Sequence, residues 1–245
     1  SAGASIIFDA DDDNIPYEAF LVGSFQHTVS LIPNTLFFNA YRHFTDKFIW
    51  PRGFPLDLVR DKTAYALQET EQREVGIWQY VADLDPDVDA IYRLLFDEPV
   101  TFERSEPFVL PTNVYCPINS QSTAWQPKAF PFLYLPISVS FRFTDILRGY
   151  VAQRLLWEQG LQVGFGPAQA YQERNPHNLF ADLEDEVPVY LNAHKLVSIL
   201  DSLTLSGKGL ADLRTVYEAL YENDIVQAHE LASVDAWIAD CRDIL

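Results

Sequence analysis

Apolar runs that end in carboxylates occur twice along the chain. The first is I-I-F at 6–8, and four aspartates and one asparagine follow it within 9–14. The second is V-G-I-W-Q-Y-V-A at 75–82, and aspartates follow it at 83, 85, 87 and 89. Continuous apolar runs of this kind are typical of strands buried within a sheet. The pattern therefore predicts two buried strands that each carry acidic side chains to a strand end.

The second half of the chain shows helical spacing instead. Within 144–159 the apolar positions of one helix face are Ile146, Leu147, Val151, Leu155 and Leu156. Thr144 or Asp145 is expected to cap the N-terminus of this helix. Three more helices are predicted over 189–203, 209–221 and 225–244. We expect an α/β domain with a mixed sheet over 1–190, followed by a helical C-terminal appendage over 191–245.

The acids after the first predicted strand suggest a cation site. Carboxylates so close together repel one another, and in a low-dielectric environment the repulsion costs several kcal/mol unless a cation lies among them. Asp and Asn oxygens are the hard ligands that Mg²⁺, Mn²⁺ or Ca²⁺ prefer. Ligands of α/β sheets bind at the carboxyl ends of strands. A divalent-metal site is therefore predicted here, and a solvated acidic turn is the alternative.

Three metal chemistries use aspartates at this spacing. An EF-hand loop that began at Asp9 would need glycine at its sixth position and glutamate at its twelfth. The chain has Asn14 and Phe20 there, which excludes an EF-hand. A phosphohydrolase with its nucleophile at Asp9 would carry threonine or valine where this chain has Asp13. The D-x-D pattern of metal-dependent glycosyltransferases is satisfied by Asp11 and Asp13.

Three segments could contact a ligand through polar side chains. In W-P-R-G-F-P at 50–55, two prolines and a glycine stiffen the loop around Arg52, a candidate anion contact, although a surface arginine is the alternative. Asp87 and Asp89 could accept hydrogen bonds from sugar hydroxyls, or Asp87 could simply cap the following helical turn. The uncharged segment that contains Asn119 and Gln121 suits a neutral polyol, but such residues also build ordinary turns.

The last candidates lie at a helix start and in a loop. Asp145 would act as a general base if the start of its helix faces the metal, with Arg148 orienting it or the substrate. The loop 171–180 contains Arg174 and His177. His177 could complete an acidic metal site as an imidazole ligand, although a lone loop histidine is more often unliganded.

Composition narrows the classes of partner. With 48% hydrophobic and 14% aromatic residues, a chain of 245 residues can bury a substantial core. Its 35 acidic and 17 basic residues give a net charge of −18. This argues against binding to nucleic acid or to anionic membranes, because a protein that binds either partner needs a basic surface. Two cysteines exclude a disulfide scaffold.

Taken together, several blocks resemble one protein family. They are D-A-D-D-D-N at 9–14, W-P-R-G-F-P-L at 50–56, G-I-W-Q at 76–79, D-P-D-V-D-A-I-Y-R-L at 85–94, P-I-N-S-Q-S-T at 117–123, F-R-F-T-D-I-L-R-G-Y-V-A-Q-R-L-L-W at 141–157 and Q-E-R-N-P-H-N-L at 172–179. In this order they are similar to the glycosyltransferase-like domain of the STELLO family. More distantly, the triple aspartate, R-G-F-P, D-x-D-A and T-D-I-x-x-G resemble UDP-arabinopyranose mutases, the reversibly glycosylated polypeptides.

Both resemblances imply a GT-A fold, a nucleotide-sugar donor, a glycan-type acceptor and a divalent cation, Mn²⁺ or Mg²⁺. They imply that Asp11 and Asp13 bind the metal with His177 as a third ligand. Asp145 becomes the candidate catalytic base. The candidates for nucleotide and sugar binding are then Asp12, Arg52, Asp87, Asp89, Asn119, Gln121, Arg148 and Arg174.

The resemblance also carries expectations about the rest of the protein. A GT-A domain has a nucleotide-binding half ahead of the D-x-D strand, whereas only a short segment precedes that strand here, so we expect this half to be largely missing from the chain. The family implies the Golgi lumen, with any membrane anchor upstream of Ser1. Two alternatives to catalysis by transfer remain: a non-catalytic scaffold that assists a protein complex making glycans, and a nucleotide-sugar mutase.

Overall fold

The computed structural model describes residues 3–20, 22–96, 98–173 and 176–244. Within these ranges one mixed sheet contains β1 (Ile7–Ala10), β2 (Asn14–Pro16), β3 (Gln26–Pro33), β4 (Tyr65–Asp83), β5 (Phe108–Val109), β6 (Ser122–Trp125) and β7 (Leu161–Gln172). The strand order is β1-β6-β4-β3-β5-β7-β2, and β4 also pairs with β7. β4 runs parallel to β7 and β3 parallel to β5, whereas the other pairs are antiparallel. The predicted α/β class with a mixed sheet is confirmed.

Helices accompany the sheet and form the C-terminal part. They are α1 (Tyr41–Phe44), α2 (Ala90–Leu95), α3 (Thr144–Glu158), α4 (Leu179–Ser202), α5 (Leu210–Glu222) and α6 (Ala228–Ile244), with short 3-10 turns at Leu56–Leu58, Pro127–Phe132 and Phe141–Phe143. The predicted helix over 144–159 and the helical C-terminus are confirmed. None of the helices in the described ranges combines the length and apolar character needed to cross a membrane.

The helix α4 begins ten residues earlier than the predicted start at Val189. The side chain of Asn178 caps it, because its Oδ1 accepts hydrogen bonds from the backbone N–H groups of Phe180 and Ala181. Pro188, the residue before the predicted start, lies inside the helix. Tertiary contacts hold the turn before it, since the buried carboxylate of Glu186 accepts hydrogen bonds from Ala90 and Arg142.

The strand β1 lies at an edge of the sheet, so the prediction that it is buried is wrong. It pairs with β6. Its residues are half-buried or exposed, and Ile6 just before it is 39% exposed. The buried strand is the second half of β4, where Ile77, Trp78 and Val81 are fully covered. β4 is covered because it pairs with β3, β6 and β7.

The two faces of the sheet are covered unequally. The larger apolar cluster joins Ile77 and Val81 of β4 to buried residues of all the long helices, α3 to α6. The smaller one contains Trp78 and Tyr80 of β4 with a few neighbours. Side chains of β4 therefore alternate between two apolar layers, which explains its continuous apolar run. The C-terminal helices α4, α5 and α6 share the larger cluster with the sheet.

The strand directions bring four segments together at one end of the strands, the carboxyl end of β4 and β7. β4 and β7 are parallel, so their carboxyl ends lie side by side. β6 runs antiparallel to β4 and β1 antiparallel to β6, so the residues before β6 and after β1 reach the same edge. Both acidic clusters of the sequence are thereby brought together, as the position of ligand sites in α/β sheets leads one to expect.

Candidate functional site

A cavity of about 500 Å³ lies at the carboxyl end of β4 and β7. Segments distant in sequence contribute to its wall: the turn after β1, the segment before β6, the start of α3 and the end of β7. Its lining includes Asp11, Asp12, Asp13, Arg52, Asp87, Arg93, Ser120, Gln121, Leu135, Phe141, Arg142, Thr144, Asp145, Gln172 and His177. We call it the acidic cavity. It brings together most of the residues that the sequence predicted for a site.

The turn after β1 places its carboxylates on the cavity with few internal partners. Asp13 accepts a hydrogen bond of 2.8 Å from Nε2 of Gln172. Within the described ranges, the side chains of Asp11 and Asp12 have no hydrogen bond or ion pair. Asp11 as a whole residue is exposed to solvent, although protein atoms surround much of its carboxyl group. Partial burial and the charges of Asp87, Asp13 and Asp145 raise its pKa to about 7.

The donor set of this turn fits a hard divalent cation. Besides Asp11 and Asp13 it offers Oδ1 of Asn14, which is buried and has no hydrogen-bond partner among the described residues. The described residues contain no group of three His, Cys, Asp or Glu side chains placed to hold a metal ion by themselves. Mg²⁺ is usually held by one or two carboxylates together with substrate phosphates and not by an all-protein cage. The turn therefore suits a cation that is shared with a phosphate ligand.

His177 lines the acidic cavity, but its ring is already engaged on one side. Its Nδ1 lies 3.3 Å from Oδ2 of Asp182 in the first turn of α4. It does not form a three-ligand metal group with Asp11 and Asp13 in this structure. The predicted role as third ligand would use the other ring nitrogen.

Arg52 is held by two carboxylates of the protein itself. Its Nε and Nη2 donate to Asp87 at 2.9 and 2.8 Å, and its Nη1 and Nη2 donate to Asp145 at 3.1 and 2.8 Å. Its Nη1 also donates to the carbonyl oxygen of Arg142. The guanidinium is buried and its donors are used within the protein, so the anion contact at Arg52 stays a prediction that would need these bonds to change.

The loop around Arg52 reaches α3 because of Gly53. This glycine has φ of +86°, a conformation that other residues rarely adopt. A Cβ atom there would lie 2.5 Å from the side chain of Ile146, so the loop packs directly on the helix. Tyr150 of α3 also donates a 3.0 Å hydrogen bond to the carbonyl oxygen of Gly53. These contacts fix Arg52 beside Asp145.

Asp87 and Asp89 have separate structural surroundings. Burial alone would raise the pKa of Asp87, but the ion pair with Arg52 outweighs burial and holds this pKa below its usual value. Asp89 is fully buried and accepts hydrogen bonds from Trp50, Tyr92 and Tyr190. Burial raises the pKa of Asp89. Asp89, and not Asp87, caps α2, and its burial removes it from any sugar in the cavity.

Asp145 lies in the first turn of α3 and lines the acidic cavity. The helix itself begins at Thr144, so the N-cap position is Phe143 and the predicted cap at Thr144 or Asp145 is wrong. Besides Arg52, its carboxylate accepts hydrogen bonds from the backbone N–H groups of Ser120 and Ile146 at 3.2 and 2.9 Å. The start of α3 does face the acidic turn, as the predicted base requires.

Arg148 contacts Asp9 and not Asp145. Its Nη2 donates to Oδ2 of Asp9 at 2.7 Å and to Oγ of Ser120 at 2.8 Å, and its guanidinium lies over the ring of Trp125. Arg148 is buried and is not among the residues that line the cavity. The expectation that it orients Asp145 or the substrate is wrong in this conformation, because its contacts instead anchor the end of β1.

The two amides before β6 differ in access. Asn119 is buried and exchanges hydrogen bonds with Gln79, so it does not reach the cavity. Gln121 lines the cavity, where it accepts a hydrogen bond from the backbone N–H of Asp87 and donates to the side chain of Gln172. Gln121 thus links the two acidic clusters. Arg174, the remaining candidate, lies outside the described residues.

Several cavity residues were not predicted from the sequence. Arg142 pairs with the buried carboxylate of Glu186, and Arg93 pairs with Asp85. Phe141, at 81% exposed, gives the cavity an aromatic wall. An exposed phenylalanine leaves no periodic signal, and the partners of the two arginines are set by tertiary contacts. The signal available was their position inside the blocks 85–94 and 141–157.

Comparison with known proteins supports a relationship to glycosyltransferases. A family model described as STELLO glycosyltransferases matches residues 142–244, which includes the start of α3 and all the C-terminal helices. "Probable glycosyltransferase STELLO2" of Arabidopsis thaliana is 33% identical over 220 residues, and "Probable glycosyltransferase STELLO1" of the same plant is 30% identical over 265 residues. These matches cover 81% and 97% of this chain but 28% and 34% of the relatives. The chain thus spans about a third of the length of these curated relatives.

Proposed function

We propose, from the similarity of this chain to the STELLO glycosyltransferases together with the acidic cavity, that it forms part of a metal-dependent glycosyltransferase. The proposed reaction transfers a sugar from a nucleotide-sugar donor to a hydroxyl group of a glycan-type acceptor. The observation that carries the proposal is the turn after β1, where Asp11 and Asp12 line the cavity and make no ion pair within the described ranges. The relatives' name and the chemistry of this turn point to the same class of ligand.

Asp11 and Asp13, which line the cavity, would hold the cation, Mn²⁺ or Mg²⁺. When bound, it supplies positive charge that offsets the diphosphate of the donor and of the departing nucleotide. Asp12, which has no hydrogen bond or ion pair within the described ranges, is available to the nucleotide or sugar. His177 remains a proposed additional ligand on the same cavity.

The protein's own residues would hold the donor and manage one proton. The bond between the anomeric carbon and the diphosphate oxygen breaks, and the acceptor oxygen bonds to that carbon. Asp145 is proposed to accept the proton that the acceptor hydroxyl loses. Arg52 fixes the orientation of the Asp145 carboxylate through their ion pair. Gln121 and Gln172 position the acidic turn against Asp87.

The alternatives predict different properties of the same turn. A non-catalytic scaffold assisting a glycan-synthesising complex gains nothing from repulsion among carboxylates that face a cavity, so the unpaired charges favour a ligand-binding role. A nucleotide-sugar mutase would bind the same donor but need no separate acceptor. A protein partner and Golgi residence remain predictions from the resemblance.

The proposal is tested by calorimetry with uridine and guanosine diphosphate, with Mn²⁺ and with chelator. Asp11→Asn and Asp13→Asn each remove one charge and keep the shape, so we expect metal-dependent nucleotide affinity to fall at least about tenfold. Asp46→Asn is the matched control, because Asp46 is exposed and lies outside the cavity. Unchanged affinity in both cavity variants, or equal binding with chelator, would contradict the proposal.

A further inference from the structure

A second cavity of about 410 Å³ adjoins the acidic cavity. Arg93 and His177 line both, so these two side chains form the wall between them. The rest of the second cavity includes Leu84, Phe96 and Glu98. We call it the side cavity. Its position means that a molecule bound there would present one end to the acidic cavity past the shared wall.

The lining of the side cavity combines apolar surfaces with hydrogen-bonding groups. Leu84 and Phe96 are each 39% exposed; both offer apolar contact, and the ring of Phe96 is flat. Glu98 is exposed, and within the described ranges its carboxylate has no hydrogen bond or ion pair. Nε of Arg93 is buried without a hydrogen-bond partner among the described residues. A ligand with apolar faces and many hydroxyl groups uses all of these features.

The charge of the side cavity selects against anions. Arg93 is already paired with Asp85, and its Nη2 donates to the carbonyl oxygen of Pro86. Its charge is thus offset within the protein, while Glu98 adds a further negative charge. An anionic ligand would be repelled by this carboxylate, whereas a neutral hydroxyl can donate a charge-assisted hydrogen bond to it.

Two residues of the side-cavity wall, Leu84 and Phe96, are held by contacts within the protein. Leu84 adopts φ of 69°, which is unusual for a bulky residue. Two backbone hydrogen bonds with Val100, of 2.6 and 3.0 Å, hold it there. Phe96 packs against Tyr92, with ring centroids 4.9 Å apart. A preformed wall reduces the conformational entropy that binding must overcome.

We propose that the side cavity is the acceptor subsite and that it binds a neutral oligosaccharide. The acceptor's reactive end would lie at the wall formed by Arg93 and His177, facing the donor in the acidic cavity. The acceptor role rests on the proposed transferase function, but binding of a neutral saccharide can be measured without donor or metal.

The test measures saccharide binding to the metal-free chain by ligand-observed NMR, with chelator present. The probes are neutral hexasaccharides of glucose, xylose, mannose and galactose, with a galacturonic acid hexasaccharide as the anionic arm. Leu179→Trp should fill part of the side cavity, which Leu179 lines, and Glu98→Gln removes its free carboxylate. Leu95→Trp is the control, because Leu95 is 66% exposed and lies outside both cavities.

We expect at least one neutral hexasaccharide to bind more tightly than the anionic one. Leu179→Trp should weaken that binding at least fivefold and Glu98→Gln about threefold, while Leu95→Trp leaves it unchanged. The inference is overturned if no neutral probe binds, if the anionic probe binds equally well, or if Leu179→Trp and Leu95→Trp behave alike.

A nucleotide titration on the same samples separates the two proposals. Nucleoside diphosphate binding with Mn²⁺ but no saccharide binding leaves the proposed function standing and removes the acceptor subsite. Saccharide binding that depends on Leu179 and Glu98, without any nucleotide binding, supports the saccharide site but overturns the proposed transferase function.

Discussion

The acidic cluster after β1 and the acidic cluster after β4 follow similar apolar runs and meet at the same edge of the sheet. In the second cluster, Asp83 accepts hydrogen bonds from Tyr17 and Phe102, and Asp87 is paired with Arg52. In the first, Asp11 and Asp12 have no such partner within the described ranges. The fold thus pairs acids of the second cluster within the protein, whereas it leaves Asp11 and Asp12 of the first without an ion pair among the described residues.

The pKa values follow this difference. The pKa of Asp11 is raised to about 7 by partial burial and neighbouring negative charges, whereas Arg52 holds that of Asp87 below its usual value. Paired carboxylates stabilise the fold, and unpaired ones on a cavity favour binding of a cation. Substitutions in the two clusters should therefore affect different properties of the protein.

The largest effect on stability should come from Arg52→Met. This change leaves Asp87 and Asp145 buried without their counter-ion, and breaking a buried ion pair costs about 3–5 kcal/mol of unfolding free energy. Urea unfolding measures the loss, and Arg60→Met, at an exposed position, is the control. If Arg52→Met is as stable as the control but loses nucleotide affinity, Arg52 contacts the ligand and the second cluster is not internally compensated.

Asp145→Asn tests whether Asp145, which pairs with Arg52, also acts as the proposed base in the acidic cavity. As the proposed base, Asp145 should contribute at least about a hundredfold to turnover, with nucleotide affinity unchanged by its loss. Asp87→Asn is the matched comparison, because it also removes one carboxylate partner of Arg52. A turnover defect of the same size in both variants would mean that Asp145 acts by holding Arg52 and not by accepting a proton.

Asp89→Ala should reduce stability by about 2 kcal/mol, since α2 loses its cap and the N–H of Trp50 loses its acceptor. Metal-dependent nucleotide binding should be unaffected, because Asp89 is buried away from the cavity. Thermal unfolding and calorimetry on one preparation measure both quantities. A variant of normal stability with weakened nucleotide binding would place Asp89 in the site.

The smallest expected effect is a change in the pH dependence of stability in Asp11→Asn, because the side chain of Asp11 is exposed and solvent screens its interactions. Since the folded-state pKa of Asp11 is about 7 and its ordinary value is 3.8, the folded protein retains a proton that the unfolded chain has released. The contribution of this group to stability therefore falls as the pH rises from about 4 to about 7. With chelator present, Asp11→Asn should lack this part of the decline, and Asp46→Asn should retain it.

A difference in the opposite direction would be informative. If Asp11→Asn declines more steeply than the parent protein over this range, the carboxyl group of Asp11 is stabilised in its charged form by the fold. The first cluster would then be compensated like the second, and the contrast between them would disappear.

Local patterns in the chain were sufficient for the class of the fold and for the positions of several elements. The apolar run at 75–82 forms the buried part of β4, and the spacing in 144–158 forms α3, because each pattern reflects the period of one regular element. The blocks of the resemblance also led to the family that the comparisons support. Both kinds of information are carried by residues close together in sequence.

Charge compensation was decided by tertiary structure. Arg52 is separated by 35 residues from Asp87 and by 93 from Asp145, and Arg148 is 139 residues from Asp9. Nothing in the local sequence distinguishes these aspartates from Asp11 or Asp12. The edge position of β1 likewise depends on the order in which distant strands pair. Which acids are paired and which are available to a cation therefore follows from contacts between distant segments, because ion pairing depends on distance in space and not on separation along the chain.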